Sequence, residues 1–236
     1  MKTLLSIILI VAGMILIVSC TSKPTSDTEV VLVRDITDSF LSKPKLDEIT
    51  PLFGLENNQW QGATFRFMDI TDVSYNHAYE TSINSESKWF SNEFQRRKKV
   101  KTFYAEVSQI LNTSEKEAVG KDNSAVYAPI AQELNRLSRC PSKNKILLIY
   151  SDLMENTNDL SFYDKQKFEL LKTNPDVISK YFEALIPLQN LQGIKIFLVF
   201  QPNGMAEDEQ FQIVSGFYKK LFESKGAVVS ISANLD

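Results

Sequence analysis

The residues of this chain best suited to chemistry are Asp35, Thr37 and Ser39, one carboxylate and two hydroxyls at alternate positions after the apolar run Val30-Val31-Leu32-Val33. Alternate residues of an extended segment share a face, so the three oxygens are offered together. Hard oxygen donors suit magnesium, which wants near-octahedral oxygen coordination and keeps several of its waters. Other strand-length runs end in a similar way. Asp69, Thr71 and Asp72 close one, Ser151 and Asp152 a second, and Gln201, Pro202, Asn203 and Gly204 a third. Lys121-Asp122-Asn123-Ser124 adds a further hydroxyl, Ser124, in a loop before a helical pattern. Soft ligands are missing from these ends: His77 is the one histidine, and Cys20 and Cys140 are the two cysteines. That composition argues against histidine-rich zinc sites and against Ser-His-Asp or Cys-His catalysis.

The elements that must position these groups are legible as apolar runs alternating with longer helical patterns. The runs are Val30 to Arg34, Thr64 to Ile70, Lys145 to Tyr150, Ile194 to Phe200 and Ala227 to Ala233, with Ala78 to Ile83 as a short edge strand. Three of them are almost continuously apolar, as expected of strands covered on both faces. Thr64 to Asp69 alternates, which predicts a strand more exposed on one side. Helical spacing appears over Trp89 to Leu111, where Phe90, Phe94, Phe103, Val107 and Ile110 form a core stripe, and over Ser124 to Arg139. Phe162 to Leu171, Pro175 to Leu185 and Ala206 to Lys225 complete the set, the last stopped by Gly226. The pattern predicts a three-layer α/β sandwich, Rossmann-like, with a mostly parallel central sheet and helices on both faces. In such sheets ligands bind outside the carboxyl ends of the strands, where strand order reverses.

At this point the chain resembles the von Willebrand factor A-type (VWA) domain. Its metal-ion-dependent adhesion site (MIDAS) uses Asp-x-Ser-x-Ser after the first strand, a Thr from a later loop and an Asp after the fourth strand. Asp35, Thr37 and Ser39 match the first motif, Ser124 is the candidate loop hydroxyl, and Asp152 matches the last position. Thr113 and Ser114 also precede a helix and remain alternatives to Ser124. Thr37 and Ser124 exchange one hydroxyl residue for another. Asp38 and Leu153-Met154-Glu155 stand where glycine is common in the family. The resemblance implies adhesion-type binding without catalysis, through Mg2+ (or Ca2+ or Mn2+). Thr37, Ser39 and Ser124 would coordinate directly, Asp35 and Asp152 would balance charge, and one position would stay open for an acidic group of a protein partner. Extra acids at Asp38 and Glu155 would raise calcium affinity or repel such a partner.

A simpler reading of the same residues is structural. Asp38 or Ser39 would cap a following helix, worth about 1 kcal/mol without any metal, and Asp152 would fix a turn. The strand and Asp35 also faintly resemble haloacid-dehalogenase-type phosphatases, in which the first Asp attacks phosphorus with magnesium assisting. Those enzymes want a second acid where this chain has Thr37. A purely structural envelope lipoprotein is the remaining alternative.

Residues 1–20 are a different material: a lysine, a run from Leu4 to Val18 that is almost wholly apolar, then Ser19-Cys20. The end of the run resembles the bacterial lipobox, so Cys20 is the expected lipidation site, with a membrane-spanning helix as the alternative. Residues 21–28 are too polar to pack and read as a tether, leaving 29–236 as one domain outside the cytoplasm, lipid-anchored in the cell envelope. Cys140, with no cysteine left to pair with, reads as a small apolar residue near a helix end. The net charge of −3 gives no reason to expect nucleic acid. The cluster Arg96-Arg97-Lys98-Lys99 reads as a solvated helix face.

Overall fold

The computed structural model describes residues 26–36, 44–70, 76–113 and 124–235. Six strands form one sheet: β1 (Thr28–Asp35), β2 (Ala63–Ile70), β3 (Ala78–Ile83), β4 (Asn144–Tyr150), β5 (Ile194–Val199) and β6 (Val228–Ser232). Their order is β3-β2-β1-β4-β5-β6, all parallel except β3, which runs antiparallel to β2. The helices are α1 (Leu46–Ile49), which runs on into a 3-10 turn at Thr50–Phe53, α2 (Glu93–Thr113), α3 (Tyr127–Ser138), α4 (Lys165–Thr173), α5 (Pro175–Leu185) and α6 (Met205–Glu223).

Strand alternation divides the core in two. Val30 and Leu32 of β1, with Phe65 and Phe67 of β2, pack beneath Ile49, Phe53, Phe103 and Val107 from α1, the 3-10 turn and α2. Val31 and Val33 face the opposite way, onto Ile130 and Leu134 of α3, Phe182 of α5 and Val214 and Tyr218 of α6. Helices therefore cover both faces, and the architecture is the expected three-layer α/β sandwich. β1 is buried along its whole length, which is why its sequence lacks a polar alternation.

Local signals set the helix ends. Asp164 accepts hydrogen bonds from the N–H groups of Gln166 and Lys167 and so starts α4. Pro175 stands at the first turn of α5, where its missing N–H costs nothing. After α6 the chain turns through Gly226 at φ +96, where a Cβ would also press on the Gln192 backbone at 3.3 Å.

The structure departs from four of these expectations. β2 is not exposed on one side: all of it is buried except the half-buried Arg66, whose guanidinium bonds Glu133 and Glu80. α2 begins at Glu93, not Trp89, because Asn92 accepts the Gln95 N–H and starts the helix there. Phe90 and Phe94 are 94% and 73% exposed, and the core stripe of α2 is Phe103, Val107 and Leu111, with Ile110 packed against it. The cationic cluster also splits, since Arg96 is fully buried while Arg97, Lys98 and Lys99 are exposed. Cys140 is half-buried, its thiol lying beside the Glu29 carboxylate and 3.1 Å from Ser142 Oγ. Burial raises its pKa.

Candidate functional site

The chain builds outward from β1 to β2 and β3, then returns to lay β4 on the other side of β1. The segment after β1 leads to α1 on one face, while that after β4 leads to α4 and α5 on the other. The strand order thus reverses between β1 and β4, and the crevice at their carboxyl ends is the place such sheets use for ligands. In-register pairing sets Arg34 beside Tyr150, so Asp35 and Ser151 leave the two strands as neighbours.

Asp35 is 2% exposed, and its Oδ2 accepts hydrogen bonds from Ser124 Oγ at 3.1 Å and Ser151 Oγ at 3.3 Å. Two hydroxyls from separate segments thus converge on one buried carboxylate. Ser124 is held there by a two-bond bridge with Asn156, its N–H donating to the Asn156 carbonyl at 2.9 Å and its carbonyl accepting in return at 2.8 Å. That bridge zips the approach to α3 onto the segment after β4.

The turn after β4 is held by its own side chains. Ser151 Oγ accepts the Leu153 N–H at 2.8 Å, and Asp152 Oδ1 accepts the Met154 N–H at 2.9 Å. Leu153 is the one non-glycine residue at positive φ among the described residues, at +63, and its side chain is fully buried. The other Asp152 oxygen accepts from the Tyr163 hydroxyl at 3.3 Å. Asp152 therefore does fix a turn, as the structural reading expected, and it also lines a cavity of about 180 Å³ with Met154, Tyr163, Phe200, Glu207 and Phe211. Tyr163 and Met205 stand exposed at this end, at 62% and 83%. Larger clefts, of about 930 and 730 Å³, lie along α5–α6 and between β3 and α2, and none of Asp35, Ser124 or Asp152 lines them.

Glu155 is the buried acid of the region. Its Oε2 accepts the N–H groups of Val126 and Tyr127 at 3.0 and 2.8 Å, closing the start of α3 from 28 residues away. Burial pushes its pKa up to about 7, the two N–H bonds oppose that, and the charge of Asp35 adds to it. Tyr218 on α6 is fully buried beneath the same acids, its hydroxyl without a hydrogen-bond partner among the described residues. Burial first, then the charges of Glu155, Asp152 and Asp35 among others, raise its pKa.

The structure thus joins Asp35 to Ser124 directly and brings Asp152 alongside through Ser151. Thr37, Ser39 and Cys20 lie outside the described residues, as do Asp38, Thr71, Asp72 and Ser114. Asp69 points to a different role: its carboxylate takes Arg34 in a buried two-bond pair at 2.8 and 3.2 Å, with the guanidinium over the Phe67 ring at 5.3 Å. Sequence reading assigned no role to Ser151, yet the shared register of β1 and β4 places it against Asp35. The capping role of Glu155 had no local signal.

The donors are all hard oxygens, and among the described residues no three His, Cys, Asp or Glu side chains lie close enough to hold a metal by themselves. A cation here would depend on hydroxyls, which is the chemistry of Ser124 beside Asp35. No protein-family model matches the chain, and no curated protein matches its sequence. Among the described residues no helix is long and apolar enough to cross a membrane.

Proposed function

We propose that this domain binds a protein partner through a divalent cation, Mg2+ or one of its substitutes Ca2+ and Mn2+, at the carboxyl ends of β1 and β4. The observation that carries this reading is the Ser124 hydroxyl donating to buried Asp35. A hydroxyl that gives its proton to a carboxylate keeps its oxygen lone pairs for a cation, and the carboxylate orients it and strengthens it as a ligand. On this reading Ser124 coordinates directly, joined by Thr37 and Ser39, while Asp35 and Asp152 balance the charge. The cation would supply a Lewis-acidic position for a partner carboxylate, and exposed Tyr163 and Met205 would flank the contact, residue types enriched at protein interfaces. The VWA-like arrangement of the motif supports the same reading, which is one of adhesion and not of catalysis. The apolar segment ending in Cys20 supports lipid anchoring in the envelope, with the domain outside the cytoplasm.

Isothermal titration of the full chain with Mn2+ and Mg2+ tests this reading. The expected result is saturable binding that Asp35→Ala weakens by roughly 10- to 100-fold, the usual loss for a group that orients a ligand from outside the coordination sphere, and that Ser124→Ala, which removes a direct ligand, weakens at least as much. Absence of heat at millimolar ion in the folded wild-type chain would refute it.

A further inference from the structure

The opposite edge of the sheet carries a second, unrelated feature. Trp89 and Phe90 are 90% and 94% exposed in the turn before α2, and Phe94 is 73% exposed in its first turn. Solvated aromatic side chains seldom cluster without a use, since contiguous exposed apolar surface marks interaction sites. The fold holds this turn firmly. Buried Arg96, one turn into α2, donates to the carbonyls of Gln59, Gln61 and Asn84, tying the loop before β2 to the loop after β3.

The location identifies the occupant. Ile83, at the end of antiparallel β3, pairs with Ala63, which pairs with Thr28 at the start of β1. Asp27 bonds Gly62 through both its backbone N–H and its carboxylate. The domain therefore begins on the same edge as the aromatic turn. Cys20 lies six residues before Ser26, and a chain of that length reaches at most about 20 Å when fully extended. Whether the envelope anchor is a lipid on Cys20 or the apolar run itself, this edge is held close to the bilayer. Charge agrees: residues 84–101 carry five exposed cations, Lys88, Arg97, Lys98, Lys99 and Lys101, against two acids, Glu86 and Glu93, which pair with Lys99 and Arg97. Aromatic rings at headgroup depth with lysine and arginine around them are the composition of a membrane-interface surface.

We propose that Trp89, Phe90 and Phe94, with these cations close by in the chain, dock the strand-start edge of the domain onto an anionic lipid bilayer. The proposal rests on the envelope anchor and not on the cation site, which lies at the far end of the strands. The test uses the full chain carrying Trp60→Phe, so that Trp89 is the sole tryptophan, reconstituted into vesicles of phosphatidylcholine and phosphatidylglycerol with brominated acyl chains. Trp89 emission is expected to shift to the blue and to fall roughly twofold or more against unbrominated vesicles. Replacing Phe90 and Phe94 by Ser together, or Lys98 and Lys101 by Glu together, should abolish both effects while circular dichroism stays unchanged. Emission that remains at the water-exposed wavelength and unquenched in vesicle-bound protein would overturn the proposal. So would cross-linking of two copies through Trp89→Cys, which would assign the patch to a second copy of the chain.

Discussion

At the scale of single residues, the region around Asp35 concentrates groups that fold at a cost. Glu155 has the clearest signature. An unfolded glutamate titrates near 4.5 and the folded one near 7, so the folded protein binds this proton more tightly. Its contribution is fully present below pH 4.5 and is lost as pH rises through 7, a change on the order of 3 kcal/mol. Urea denaturation of wild type and Glu155→Gln across pH 5 to 8 checks this: the wild type should lose stability toward pH 8 relative to the variant, whose amide oxygen still accepts the Val126 and Tyr127 N–H groups. Leu153 has the opposite kind of conflict, an apolar side chain that gains from complete burial on a backbone at φ +63. Left-handed geometry costs a branched residue about 1–2 kcal/mol, and truncating a buried leucine costs about 2–5 kcal/mol. Both Leu153→Ala and Leu153→Gly should therefore destabilise, and glycine, which shares the loss of packing but relieves the backbone, should be the milder of the two in thermal melts.

At the scale of elements, Arg96 shows how a helix start can organise a sheet edge. Its side chain is buried with three carbonyl partners, so removing it strands acceptors from two loops at once. Arg96→Met should cost about 3 kcal/mol in urea unfolding, whereas Arg97→Met on the exposed side should change stability by less than about 0.5 kcal/mol. The contrast explains what was legible beforehand and what was not. β1, β4 and β5 stood out because burial on both faces leaves an unbroken apolar run. The edge strand β3 is legible as the short run from Ala78 to Ile83, bounded by Asn76 and Asn84. The start of α2 was misplaced because a 3.6-residue spacing continues through Trp89 and Phe90, and only the Asn92 cap ends it. Arg96 read as solvated because four adjacent cations carry no mark of which one turns inward. Asp69 looked like Asp35, each opening an Asp-Ile-Thr-Asp segment, yet the pairing of β1 with β2 sets Arg34 opposite Asp69 and turns that acid into an ion-pair partner. Of the candidate site, Asp35, Ser124 and Asp152 were found from strand ends and a loop hydroxyl. Ser151 stands in the sequence only as a strand-end hydroxyl and Glu155 only as an extra acid, because their contacts depend on strand register and on a hydrogen bond spanning 28 residues.

At the scale of the whole molecule, the parallel sheet gives the domain two unlike ends, separated by roughly 25 Å along eight-residue strands. The end where the strands start carries the domain's entry point, the exposed aromatics and the cations. The carboxyl end carries Asp35, Ser124, Ser151 and Asp152, with Tyr163 and Met205 at its rim. On the proposed docking of the first end to a bilayer, the second would face away from it, toward the proposed partner. Without a cation the far end is a set of turns and caps. A crystal structure of the protein grown with Mn2+, with anomalous scattering recorded, tests for that cation most directly. An anomalous peak beside Asp35, with Ser124 Oγ as a ligand near 2.1 Å, is the expected result. A crevice without such a peak at millimolar Mn2+, with Ser124 and Ser151 still donating to Asp35, would contradict it.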